Sequence, residues 1–273
     1  MECPLDEKIK IRLVNLVYNL FITKISSVEK STWRINHVPL NLCMKKILLF
    51  CIAFLSLQLS AQLKSIHNQA DYPFLLHLPA DSILKNNPPV LIFLHGRSLS
   101  GNNLDLVKRY GVIHEIEKGR KIPAIVIAPQ VAAGKSWEPA KILSVLRFVQ
   151  KQFDTDTNRV YVTGMSLGGY GTLNFAGEYP GIVTAAVALC GGGNPKNGCN
   201  LSTIPVWIQH GNLDTAVPIS ESEKMVKSIK ACNGGTNLKY TVRQGASHGD
   251  LEKAFRTDEL YNWLFQFSKA DLK

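Results

Sequence analysis

Short runs dense in Val, Ile and Leu recur along the chain at residues 73–78, 89–94, 124–128, 159–163, 185–190, 205–210 and 238–243. Most are apolar throughout rather than alternating, which is the pattern of strands covered on both faces. Between them lie longer stretches with apolar residues at helical spacing, over 104–118, 140–153, 169–179 and 221–231, and a last one over 251–267. Strand followed by helix, repeated, predicts an α/β fold with a mostly parallel central sheet, helices on both faces and right-handed crossovers. Loops then gather at the carboxyl ends of the strands, where an active site belongs. Only residues 191–204 separate two of the strands, barely a crossover's worth, so no large lid domain is expected and the site should be open.

The first sixty residues stand apart from this alternation. Met44 opens MKKILLFCIAFLSLQLSAQ, with two lysines, an apolar run over 47–59, and Ser60-Ala61 before Gln62. That is the layout of a secretory signal peptide cleaved near Ala61, and its apolar run is too short for a relaxed span of about 20 residues. Signal peptides act at an N-terminus. Residues 1–43 therefore read as an upstream extension from a start assigned too early, 44–61 as the signal, and 62–273 as a single α/β domain exported to a periplasm or secreted. The alternative keeps KIKIRLVNLVYNLFITKISSV as an amphipathic extension and the apolar run as a membrane anchor.

Composition narrows the field further. With 45% apolar residues in 273, the chain can bury a sizeable core, which excludes disorder for most of it. Its net charge is +10; eight basic and four acidic residues precede Gln62, leaving +6 on the expected mature part. This charge is scattered, without a basic stripe interleaved with aromatics, so nucleic acid is not an expected partner. Cys190, Cys199 and Cys232 follow Gln62. An exported protein can oxidise a pair, and Cys199 with Cys232 suits best because both sit in polar Gly/Asn loops while Cys190 ends an apolar strand; three free thiols is the other reading. No Cys/His spacing matches a zinc site, and no metal or cofactor is expected.

Chemistry concentrates in RVYVTGMSLGGYGTLNFAG, where a strand pattern runs through Gly164-Met165-Ser166-Leu167-Gly168 into a helix pattern. G-x-S-x-G in that context is the sharp turn that holds a serine strained and exposed at the edge of a sheet. A serine hydroxyl needs a histidine base, itself oriented by a carboxylate, and in the order Ser, Asp, His both follow later strands. Asp214 follows the strand IPVWIQ, and His248 follows LKYTVR. Asp250 is a weaker rival for the acid, because two residues from His248 it must fold back on it. Two backbone N–H groups should form an oxyanion hole: Leu167, after the serine, and Arg97, after the strand ending in His95-Gly96, with Ser98 the weaker alternative. His95 and His210 each end an apolar strand just before a glycine and read as structural, their rings bonding loop carbonyls.

Taken together, NRVYVTGMSLGGYGTLNFAGEYP, AAVALCGGG and IPVWIQHGNLDTAVP resemble the α/β-hydrolase superfamily, in its predicted-peptidase, phospholipase/carboxylesterase and feruloyl-esterase-like group. The likeness covers nearly all of the expected mature chain. It implies the triad Ser166, Asp214 and His248, oxyanion donors Arg97 and Leu167, and, from the loop IAPQ with the later SWEP, Gln130 and Trp137 as candidate substrate contacts. The chain departs from that group after His248, where HGDLEKAF passes quickly into the last helix. The expected activity is hydrolysis of carboxylic esters, with short or aromatic acyl groups, on small molecules or carbohydrate carriers. A serine peptidase of the prolyl-oligopeptidase-like type and a non-catalytic binder on the same scaffold are the alternatives.

Overall fold

A computed structural model describes residues 63–232 and 235–272. The extension at 1–43 and the signal at 44–61 lie outside the described residues. Eight strands form one sheet: β1 (Leu63–Ile66), β2 (Phe74–His77), β3 (Val90–Leu94), β4 (Ile125–Pro129), β5 (Val160–Met165), β6 (Ala185–Leu189), β7 (Val206–Gly211) and β8 (Leu238–Arg243). Their spatial order is β1-β2-β4-β3-β5-β6-β7-β8. β1 and β4 both pair antiparallel with β2, and every pairing from β4 through β8 is parallel. All seven predicted runs are strands. β1 escaped prediction because its four residues, LKSI, are half polar and only partly buried.

The α-helices are α1 (Asp81–Leu84), α2 (Val112–Glu117), α3 (Pro139–Gln152), α4 (Leu167–Glu178), α5 (Gly198–Leu201), α6 (Ser220–Lys230) and α7 (Asp258–Phe265). Two helices predicted as continuous are divided. The stretch 104–118 is a 3-10 turn, Leu104–Lys108, then α2, and the chain turns between them at Gly111, whose φ is 82°. A Cβ there would sit 2.1 Å from the Phe93 ring, so glycine is required for space as well as for backbone angle. The stretch 251–267 becomes a 3-10 segment, Gly249–Arg256, then α7, broken by the extended Thr257. Helical spacing survives both breaks because the two pieces on either side lay their apolar residues on one and the same core.

That core has two layers, one on each face of the sheet. Val90, Ile92 and Leu94 of β3 face α3, α4 and α6, while Leu91 and Phe93 face α2, the Gly249–Arg256 segment and α7. Burial on both sides explains why the strand runs read as continuous apolar tracts. Between β6 and β7 the chain makes only the 3-10 turn Pro195–Asn197 and α5, so the described residues hold no large lid. Cys199 on α5 is disulfide-bonded to Cys232 just beyond α6, and Cys190 is free and buried. No helix among the described residues is long and apolar enough to cross a membrane.

Candidate active site

Ser166 is the single residue between β5 and α4, with φ 59° and ψ −120°. Such a conformation costs an L-residue on the order of 1–3 kcal/mol and persists only where its surroundings impose it. Here the Ser166 N–H donates to the Leu189 carbonyl of β6 at 2.9 Å, and its carbonyl accepts from the Tyr170 N–H at 3.0 Å. The flanking glycines are needed for space. A Cβ on Gly168 would lie 1.8 Å from the Leu94 carbonyl oxygen, and one on Gly164 would lie 2.5 Å from that same oxygen. Helix α4 therefore packs against β3 at backbone distance, which directs the serine side chain outward.

Asp214 follows β7. Its Oδ1 accepts from the Ala216 and Val217 N–H groups, each at 2.9 Å, and its Oδ2 accepts from His248 Nδ1 at 2.7 Å. The carboxylate is fully buried. Burial raises its pKa, but the Val217 N–H, the His248 ring and the Ala216 N–H outweigh that and hold it below the ordinary carboxylate value. Asp250 does not reach His248; it accepts from the Ser247 N–H and Oγ and from Lys253. Donation from Nδ1 leaves Nε2 as the acceptor of the His248 ring, the atom a general base requires.

Ser166, His248, Arg97, Leu167 and Trp137 all border one cleft of about 920 Å3. Arg97 opens the 3-10 turn Arg97–Leu99 and Leu167 opens α4, so each backbone N–H precedes any partner within its own turn. The Gly96 N–H is already engaged, donating to Tyr110 Oη at 2.9 Å. His95 anchors this loop from below: its Nδ1 lies 2.7 Å from the Gly96 carbonyl, and its Nε2 accepts from the Val131 N–H at 3.2 Å. Those bonds fit a neutral ring, and burial pushes its pKa down to about 4.

The two candidate substrate contacts separate. Trp137 borders the cleft, but it is 6% exposed, donates Nε1–H to the His95 carbonyl at 3.2 Å, and packs edge-on against His95 and Tyr72. Gln130 is buried away from the cleft lining; its Nε2 donates to the Leu99 and Asn103 carbonyls, each at 2.8 Å, so it ties down the loop after β3 instead of facing a substrate. Tyr110, Arg109, Glu252 and Arg256 also border the cleft, and none was read from the sequence. Their presence depends on the turn at Gly111 and on the packing of the Gly249–Arg256 segment, neither of which leaves a local motif. Cys190, Asp214 and His248 bring potential metal-donor atoms within 4.8 Å of one another. Burial pushes the Cys190 thiol up to about 12, and both Asp214 oxygens are already bonded, so the three make a poor ligand set.

The model of the Esterase family, described as "Putative esterase", matches residues 65–268. Over 163 residues the chain is 24% identical to a bifunctional acetylxylan esterase/xylanase from Neocallimastix patriciarum, covering 57% of this chain and 23% of that protein. Among solved structures, a thermostable esterase superposes with a TM-score of 0.64 at 25% identity, over 76% of this chain and 63% of the other. The feruloyl esterase module from Clostridium thermocellum, complexed with sinapinate, gives 0.56 at 16% identity, over 76% and 88%. The chain thus spans about a quarter of the curated relative and under two thirds of the thermostable esterase. The family match covers three quarters of the sequence and nearly all of the described fold, and the chain belongs to the Esterase family, with the α/β-hydrolase fold.

Proposed function

We propose that the chain hydrolyses carboxylic esters through an acyl-enzyme formed on Ser166. The observation that carries this reading is the 2.7 Å bond from His248 Nδ1 to the buried Asp214, beside a serine with positive φ in the same cleft. His248 Nε2 accepts the Ser166 proton as Oγ attacks the ester carbonyl, and the N–H groups of Arg97 and Leu167 receive the oxyanion. The imidazolium, stabilised by Asp214, then protonates the leaving alcohol; water repeats the sequence on the acyl-enzyme and releases the acid. No step calls for a metal or cofactor.

The openness of the cleft and the chain's relatives support a substrate class. With no lid over Ser166 among the described residues, the site suits short or aromatic acyl groups on small alcohols or carbohydrate chains more than long fatty chains. Likeness to an acetylxylan esterase and to a feruloyl esterase supports acetyl and feruloyl groups on a polysaccharide. A leader at 44–61 would deliver the enzyme to such carriers outside the cytoplasm.

Turnover of 4-nitrophenyl acetate and butyrate by the wild type, lost in Ser166→Ala with an unchanged far-UV spectrum, is the expected result. Undiminished turnover in the variant removes Ser166 from the mechanism. A panel of acetylated and feruloylated xylans then ranks the acyl groups.

A further inference from the structure

The lining of the cleft is uneven in charge. One wall comes from the loop after β3, the start of α2 and the segment after His248, and it presents Arg97, Arg109, His114, Glu252 and Arg256. Elsewhere the cleft is lined by Ser136, Trp137, Leu167, Tyr170 and Asn174, none of them charged. Glu252 is the lone carboxylate on the first wall, and it bonds Arg256 Nη2 at 2.7 Å, so that pair cancels. Asp214 is fully buried and is held by the His248 ring, and Glu221, which accepts from the Tyr170 hydroxyl at 3.2 Å, is itself paired with Lys224. Arg97 and Arg109 form no ion pair and no side-chain hydrogen bond among the described residues, so the wall keeps two uncompensated guanidinium groups beside the candidate nucleophile.

Both arginines rest on anchored backbone. Arg97 opens a turn whose preceding Gly96 donates to Tyr110 Oη, and Ser98 Oγ donates to the same oxygen. Arg109 caps the 3-10 turn Leu104–Lys108, its N–H donating to the Leu106 carbonyl, while Leu104 and Val107 of that turn are buried on one core with Phe93 and Phe255. A cationic patch lining a concave site concentrates the field there. The planar fork of arginine matches a carboxylate in particular.

Building on the esterase reading, we propose that this cleft selects esters that carry a carboxylate close to the scissile bond, with Arg97 and Arg109 as the residues that recognise it. The carboxylate can belong to the acyl group, as in a half-ester of a dicarboxylic acid, or to the alcohol, as in a uronic acid or a hydroxybenzoate. The chemistry at Ser166 is unchanged; the charge contact adds binding that a neutral ester lacks.

The test compares kcat/KM within matched pairs. On the acyl side the pair is 4-nitrophenyl hydrogen succinate against 4-nitrophenyl butyrate; on the alcohol side it is 4-acetoxybenzoate against its amide. At low ionic strength the wild type should prefer the anionic member of at least one pair by ~2- to 30-fold, the range for one or two ion pairs made by exposed side chains. Which pair responds identifies the side that carries the charge. High ionic strength should shrink the preference. The double variant Arg97→Gln, Arg109→Gln should bring the ratio near one, while Arg147→Gln, on α3 outside the cleft, should keep it. Equal rates within both pairs, or a preference that survives the double variant, overturns the proposal and leaves the esterase reading standing. Failure of the wild type to hydrolyse even the neutral esters overturns both.

Discussion

His210 Nε2 lies 3.3 Å from Asp214 Oδ2, the same oxygen that holds His248 Nδ1 at 2.7 Å. The His210 ring is fully buried at the end of β7. Its Nε2 also stands 3.0 Å from the Val217 carbonyl, and its Nδ1 lies 2.7 Å from Ser222 Oγ. Both neighbours of Nε2 are acceptors, so that nitrogen carries a proton, which it donates to the nearer of them, the Val217 carbonyl. The histidine that its place before a glycine marks as structural does bond a loop carbonyl, that of Val217, the residue whose own N–H donates to Asp214 Oδ1, so the ring helps to fix the loop that holds the candidate acid.

Replacing His210 by Phe keeps the ring volume and removes this donor. Loss of one hydrogen bond to a neutral carbonyl, about 0.5–1.5 kcal/mol, corresponds to ~2- to 10-fold in rate if it is felt in the transition state. We expect kcat on 4-nitrophenyl butyrate to fall by that factor with KM nearly constant, and His210→Gln, whose amide can reach the same oxygen, to recover much of it. A change in KM alone, or a Gln variant no better than Phe, would mean that His210 acts only through packing.

Gly168→Ala tests the backbone crossing at the nucleophile turn. Its new Cβ would meet the Leu94 carbonyl at 1.8 Å, and neither partner is a flexible side chain that can move aside. Overpacking of this kind costs at least about 1–3 kcal/mol, and more where backbone must shift. Urea unfolding should report that loss, along with loss of activity from displacement of the Ser166 turn. An alanine variant with wild-type stability would refute the close approach of α4 to β3.

The disulfide makes a separate prediction. Cys199 and Cys232 are 33 residues apart, and closing a loop of that length stabilises by about 3–4 kcal/mol in the chain-entropy account. Cys199→Ser should lower the urea midpoint accordingly. Since the bond links α5 to the end of α6, away from the cleft lining, kcat/KM on small esters should hold under mild conditions. If thiol titration of unfolded, unreduced residues 62–273 finds three thiols per chain instead of one, the bond is absent.

Much of this was legible in the sequence, for identifiable reasons. Strands buried on both faces are apolar throughout, so β2 to β7 show plainly, while β8, half-buried at every position, shows by the alternation of Leu238, Tyr240 and Val242 with polar residues. The meeting of Asp214 with His248 follows from order, because parallel strands deliver their loops to one edge. What stayed hidden depends on residues brought together from distant segments. Tyr110 reaches Gly96 across 14 positions, and its arrival depends on the break at Gly111 that helical spacing conceals. Gln130 sits in a motif that suggested substrate contact, yet the carbonyls of Leu99 and Asn103 claim its amide. Asp214's second imidazole, four residues before it, was visible as a residue but not as a contact.

Acid sensitivity should trace in part to His95. Its ordinary pKa of 6.5 is pushed down to about 4 by burial, an effect only partly offset by its bond to the Gly96 carbonyl. Above 6.5 the ring is neutral in both the folded and the unfolded chain, so it adds no pH dependence. Between 6.5 and about 4 the unfolded chain binds a proton that the folded chain refuses. Stability therefore falls with pH across that window and levels off below it, by about 3 kcal/mol in all. Asp214, held below the usual carboxylate value, adds its own loss as the pH falls through its folded pKa, and His77, also lowered by burial, adds to the slope. Those contributions are common to the wild type and to His95→Asn, whose amide can still donate to Gly96. Unfolding free energies measured from neutral pH down to 4 should therefore converge for the two proteins as the acid limb is reached, the wild type having lost more. Parallel curves would show that His95 is not the group that binds the proton.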